Sequence, residues 1–215
     1  MERVESPLTT RTAGVVVHWA ARYDLLLWLM TLGRERAFRE KLVRLARLAE
    51  RETVLDVGCG TGTLAICAKR RVGSSGVVYG VDASSEMIAR ARDKAKKAGA
   101  IVEFRNAVAE ALPFPDAHFD AVLCTVMLHH LPEEARQQCT REIRRVLKPG
   151  GRLLVVDFGG PATGRRGLIG HFHRHAVFNL DHVLPLFEQV GLQKVESGAA
   201  GLSDLRFVLF EASSR

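Results

Sequence analysis

The chain has 215 residues, 47% of them hydrophobic and 26% charged, with a formal net charge of +7. That length allows the core of one large domain, and the composition excludes disordered and fibrous classes. The four cysteines, Cys59, Cys67, Cys124 and Cys139, form neither a CxxC pair nor a zinc spacing, which argues against a disulfide scaffold and for a reduced, cytoplasmic setting.

Met1 to Thr12 is polar and lacks the apolar run of a signal peptide. Ala13 to Leu32 is the longest apolar region, but His18, Arg22 and Asp24 interrupt it. A charge at the centre of a spanning helix costs about 2.5–3.5 kcal/mol, so the segment reads as amphipathic helix packed on the domain, with a helix lying on a membrane surface as the alternative. A helix follows over Arg34–Glu50, where Phe38, Leu42, Leu45 and Leu48 recur at helical spacing. Thr53–Val57 is a first strand, Thr63–Arg71 a helix, Gly73–Gly76 a turn and Val77–Val81 a second strand.

Ser84 is placed to cap a helix reaching Ala98, and Gly99 suits its C-terminal stop. Ile101–Phe104 and Phe119–Thr125 are the third and fourth strands. Glu133–Leu147 is a helix stopped by Lys148-Pro149-Gly150-Gly151, and Arg152–Phe158 is the fifth strand. Asp181–Val190 reads as helical, with Leu192–Ser197 and Leu205–Ala212 as closing strands. Apolar strands alternating with helices imply an α/β fold, a largely parallel sheet covered on both faces. The expectation is a single domain over 1–215: a helical cap at 1–50, a core at 51–158, and an insertion with closing strands at 159–215. The basic residues are dispersed over the helices, so they read as solvated faces and argue against nucleic-acid binding.

The most informative segment is Asp56-Val57-Gly58-Cys59-Gly60-Thr61-Gly62. A strand delivers the chain to a turn in which alternate residues lack side chains, and the next helix aims its free N–H groups at the same spot. Asp82 ends the second strand, about 20 residues beyond the last glycine, where a carboxylate can accept hydrogen bonds from ribose hydroxyls. Dinucleotide enzymes show G-x-G-x-x-G, whereas here the third glycine comes one residue early. The shorter loop suits a nucleoside bearing an amino-acid tail.

With these motifs in order, the sequence resembles the class I S-adenosylmethionine-dependent methyltransferases, and within them the group containing the ubiquinone/menaquinone C-methyltransferases. The resemblance runs from about Arg22 to Phe158. It rests on Ala21-Arg22-Tyr23-Asp24, Leu55–Gly62, Gly80-Val81-Asp82, Ala109–Phe114, Phe119–Val122, Leu128–Leu131 and Leu147–Gly151. It implies a Rossmann-like three-layer fold with a mostly parallel seven-stranded sheet and an N-terminal helical cap. By the same resemblance Gly58, Cys59, Gly60 and Gly62 surround the methionine part of S-adenosylmethionine, and Asp56 holds its ammonium group. Asp82 clasps the ribose, Ala83 and Met87 pack on the adenine, and Ala109 and Glu110 lie along its edge. Cys124 or Thr125 faces the sulfonium, and Tyr23 covers the cofactor. Many relatives carry an Asp where this chain has Val108, so adenine recognition here falls to backbone groups and packing.

His129 and His130 read as packing or backbone-positioning residues, with direct catalysis as the alternative. His171, His173 and His175 alternate as on one strand face, but no cysteine or carboxylate cluster accompanies them, so a polar lining for the acceptor pocket, or one histidine as proton acceptor, is expected in preference to a metal site. The acceptor implied by Trp19, Trp28, Phe172 and Phe178 is a small hydrophobic molecule, a quinone precursor or lipid head group, with peripheral membrane contact favoured by the positive charge. No general base is identified by the sequence. Two other readings stay open: a nicotinamide-dependent oxidoreductase on the same kind of sheet, and a methyltransferase-like protein that binds the cofactor without turnover.

Overall fold

The structure is a computed structural model that describes residues 35–159, 178–202 and 204–213, together with Gly14. The expectations for Tyr23, for most of the N-terminal cap, and for His171, His173 and His175 lie outside the described residues. In chain order the elements are α1 (Glu35–Leu45), β1 (Thr53–Val57), α2 (Thr63–Val72), β2 (Val77–Asp82), α3 (Ser85–Lys97) and β3 (Glu103–Asn106). Then come β4 (Phe119–Thr125), a 3-10 turn at Leu128–His130, α4 (Glu133–Val146) and β5 (Leu147–Phe158). A second 3-10 turn at Leu180–His182, α5 (Leu184–Gln189), β6 (Leu192–Ala199) and β7 (Leu205–Ala212) complete the fold.

Seven strands form one sheet in the order β3-β2-β1-β4-β5-β7-β6. All the pairs from β3 to β5 are parallel, while β7 runs antiparallel to both β5 and β6. The sheet is therefore mixed, with one reversed strand. Two apolar cores explain why the inner strands are almost continuously hydrophobic. On one face Val54, Ala121, Leu123 and Leu154 pack with Leu42 of α1, Leu64 and Ile66 of α2, and Ile88 and Ala91 of α3. On the other, Leu55, Val57, Val122, Cys124 and Val155 pack with Ala135, Cys139 and Ile143 of α4 and Phe187 of α5. The side chain of each strand residue alternates between these two layers.

The helix expected over Asp181–Val190 divides into the 3-10 turn and α5, β6 runs on to Ala199, and several ends shift by one residue. Three further boundaries differ for a clear physical reason. α1 ends at Leu45, because Arg47 turns left-handed (φ 52°) and the chain bends so that Leu48 is buried from a turn instead of from a helix face. β3 begins two residues late. Ile101 is 85% exposed, and residues 100–102 are spent crossing from the Gly99 stop (φ 63°) to the edge of β2. β5 begins at Leu147, pairing with Phe119 before a register shift, so the Lys148–Gly151 stop lies inside an irregular strand start.

The order of pairing sets the location of the site. From β1 the chain builds outward through β2 and β3, then returns to β4 on the other side. The carboxyl ends of β1 and β4 flank this reversal, which is where open α/β sheets bind ligands.

Candidate cofactor and acceptor site

β1 ends in Val57, and the loop that follows turns through Gly58 (φ 70°), Gly60 (φ 53°) and Gly62 (φ 79°) into α2. Two of these positions admit no side chain for packing reasons as well. A Cβ on Gly58 would run into Met127, and one on Gly62 would lie 2.8 Å from Phe104 and 2.9 Å from Ala91. Gly62 thus allows α2 and α3 to close on the sheet, while Gly58 lets the segment after β4 rest on the loop.

Asp82 holds the loop from the tip of β2. Its Oδ2 accepts from the Gly60 N–H (2.9 Å) and its Oδ1 from the Ser84 N–H (2.9 Å). Burial raises its pKa, with those two N–H donors opposing the shift. The carboxylate braces the turn, and each oxygen retains acceptor capacity for a hydroxyl. Next to it Ser84 caps α3 by accepting from the Met87 N–H (3.3 Å). Ala83 is half-buried and Met87 buried beside it. Lys94 of α3 donates to the hydroxyls of Thr61 (2.7 Å) and Thr63 (3.0 Å), tying the end of the glycine loop to α3.

Asp56 is 1% exposed, and neither carboxylate oxygen makes a hydrogen bond. Burial pushes its pKa up to about 7. The guanidinium of Arg39 on α1 pulls it down, neighbouring Asp82 pushes it up, and the Ala65 N–H, close but outside hydrogen-bond geometry, lowers it slightly. An unsatisfied buried carboxylate costs stability unless a cation reaches it. The ammonium of an amino-acid tail is such a cation, so the residues present fit S-adenosylmethionine at this end: Asp56 would hold the ammonium, the glycine-loop backbone the tail and Asp82 the ribose.

The remaining sequence candidates divide. Thr125 is buried on the same sheet face as Asp56, at the end of β4. Cys124 points the other way, into the core beside Cys139 of α4, and burial raises its thiol pKa well above the ordinary range. Cys59, also buried, has its thiol pushed up by burial and by the carboxylates of Asp56 and Asp82. Ala109 packs on the second core, Glu110 is half-buried and Val108 is buried. The loop carrying them is locked by Arg145 of α4. Its guanidinium donates to the carbonyls of Leu112 (3.0 Å) and Phe114 (2.7 Å) and to Asp116 (2.8 Å) and Glu142 (2.7 Å).

Sequence reasoning missed Asp157. It is fully buried near the end of β5, and its Oδ1 lies 2.8 Å from Nδ1 of His129 in the 3-10 turn beyond β4. The signal was available: Asp157 is the one charged residue in the run Leu153-Leu154-Val155-Val156-Asp157-Phe158. Arg39 was also missed, since on α1 it reads as one of many basic surface residues.

A methyltransferase-domain family matches residues 54–151. A demethylmenaquinone methyltransferase of Thermus thermophilus is 41% identical over 150 residues, covering 70% of this chain and 67% of that protein. A ubiquinone/menaquinone biosynthesis C-methyltransferase of Escherichia fergusonii is 38% identical over 144 residues, 66% of this chain and 57% of its own length. Among solved structures, a SAM-dependent methyltransferase from Aquifex aeolicus superposes with a TM-score of 0.74 at 25% identity, covering 89% of this chain and 97% of that one. The glycine loop, the two flanking carboxylates and these matches define the chain as a member of the class I S-adenosylmethionine-dependent methyltransferases. Its sequence relatives within that class include quinone C-methyltransferases, of whose length it spans about three-fifths to two-thirds.

Proposed function

We propose that this protein methylates a ring carbon of a small, hydrophobic quinol-type acceptor. The observation that carries this reading is the 41% identity to a demethylmenaquinone methyltransferase over 150 residues. When bound, S-adenosylmethionine supplies a methyl group on a positively charged sulfur, already a good leaving group. The protein's own task is then orientation, which contributes up to about 7–11 kcal/mol in well-aligned systems. Asp56 and Asp82 fix the two ends of the donor, and the carboxyl tips of β4 and β5 lie beside it for the acceptor. The aromatic rings of Phe158 and Phe178 near those tips suit a flat apolar partner. The net charge of +7 supports a peripheral approach to anionic membrane when such an acceptor is lipid-bound. Among the described residues no helix is long and apolar enough to cross a bilayer.

The test has two arms. Thermal denaturation with S-adenosylhomocysteine at 100 times its Kd should show stabilisation of about 2.7 kcal/mol, and NADH should show none. Incubation with S-adenosylmethionine and a demethylated naphthoquinol should give a ring-methylated product by mass spectrometry and NMR. A protein that transfers methyl groups only to polar amines or carboxylates would overturn the acceptor assignment.

A further inference from the structure

The end of β4 and the end of β5 are neighbours in the sheet, with Thr125 opposite Val156. Beyond them two side chains 28 residues apart in sequence meet. His129 Nδ1 stands 2.8 Å from Asp157 Oδ1, and both side chains are almost wholly enclosed, at 4% and 0% exposure. Asp157 is further held in place by the His129 N–H (3.3 Å) on Oδ2 and by the Phe158 N–H (2.9 Å) on Oδ1. Carboxylate and imidazole are therefore fixed by backbone as well as by each other. The imidazole also sits against His130 (3.9 Å between centroids), Phe158 (5.0 Å) and Phe178 (6.1 Å).

The pair is tied to the donor cradle. Met127, two residues before His129, is the side chain that rests on Gly58. Val126 just before it has a positive φ (54°), and its N–H donates to the Val156 carbonyl (2.7 Å). That sharp turn at the reversal of the sheet folds the chain from β4 back over the tip of β1.

Resting on the proposed transfer to a quinol-type acceptor, we infer that His129 is the proton-accepting group of the reaction and Asp157 its positioning residue. A carboxylate on Nδ1 selects the tautomer with the proton there, which leaves the basic lone pair on Nε2. Nε2 takes the proton of the acceptor hydroxyl. The electron pair so released forms the new bond from ring carbon to methyl, and the pair of the breaking S–CH3 bond stays on sulfur. The ring-carbon hydrogen then passes through water to the oxygen, restoring the hydroxyl. One proton per turnover remains on the imidazole, balanced by Asp157, and leaves to solvent. The surrounding charged groups are Arg136 of α4, whose Nε donates to the Leu128 carbonyl (3.0 Å), Glu133 at the start of α4, and the Arg206–Asp181 ion pair at the β7 end.

The test uses the full chain with His129→Gln and Asp157→Asn. S-adenosylhomocysteine affinity, measured by calorimetry, should stay at the wild-type value in both. Methyl transfer to the quinol should fall about 10²–10⁴-fold in kcat with KM little changed. The deficit should shrink about tenfold per pH unit as the acceptor ionises without help. Wild-type kcat in either variant, a deficit independent of pH, or lost homocysteine-ligand affinity would each overturn the proposal, the last by making the pair structural. A second readout does not need the acceptor. Imidazole ¹⁵N NMR of the protein bound to S-adenosylhomocysteine should show His129 protonated on Nδ1, shifting to Nε2 in Asp157→Asn, and an Nε2-protonated ring in the wild type would overturn it. If the wild type methylates no quinol, the acceptor assignment fails, and the tautomer measurement still decides the pair.

Discussion

Asp56 sits where burial and charge oppose each other, and the consequence is measurable. With its pKa at about 7 against an ordinary value of 3.8, the folded protein binds more protons than the unfolded chain between about pH 4 and pH 7. Stability therefore falls as pH rises through that window, by up to about 1.4 kcal/mol per unit, and levels off above it. A ligand ammonium needs the charged carboxylate, so binding at pH 6 should release about one proton per S-adenosylhomocysteine. Calorimetry in buffers of different ionisation heat reads that proton, and Asp56→Asn should abolish it. At the next strand tip, Asp82→Ala removes both the proposed ribose acceptor and the brace on Gly60. Affinity should drop by about 1.5–3 kcal/mol, and unchanged affinity would refute the ribose contact. Asp56 and Asp82 were legible in the sequence because one lies just before the glycine loop and the other ends the next strand, a local pattern. Asp157 and His129 were not joined, because only the adjacency of β4 and β5 brings them together.

The elements that sequence reading placed to the residue are β1, β4 and β7, each apolar on both faces or nearly so. Where strands lie at an edge, the apolar signal fades and placement slips. β3 carries exposed Glu103 and half-buried Arg105, and the more hydrophobic Ile101 before it lies in solvent. β6 at the other edge exposes Lys194 and Glu196, charges that protect an unpaired strand from association. The helices were read by their spacing, but spacing does not say where a helix gives way to a turn that still buries its next apolar residue, as α1 does at Leu48. α4 shows what one side chain can do for an element. Arg145 binds two carbonyls and two carboxylates, and Glu142 in turn accepts from the Leu112 N–H (2.7 Å). Arg145→Ala should cost about 2–3 kcal/mol in denaturant unfolding. It should also raise hydrogen exchange across residues 109–118 while leaving α1–α3 protected.

At the scale of the molecule, the two faces of the sheet are closed by different helices: α1, α2 and α3 cover one and α4 and α5 the other, and each layer runs across strands on both sides of the reversal. Asp56 and Asp82 lie near the tips of β1 and β2, and the His129–Asp157 pair lies beyond β4 and at the end of β5, so the two groups flank the reversal between β1 and β4.

The reversed strand also has a consequence for synthesis. β7 inserts between β5 and β6, pairing along Arg152–Phe158 through Leu205–Glu211, so a late segment of the chain fills an interior place in the sheet. While the ribosome is still adding those residues, β5 presents a bare, apolar edge that any other nascent or misfolded strand can template. A version cut after Ser197 should therefore accumulate in inclusion bodies instead of folding with a frayed end. A soluble, monomeric product from that truncation, by sedimentation, would show that the carboxyl-terminal hairpin is dispensable for assembly.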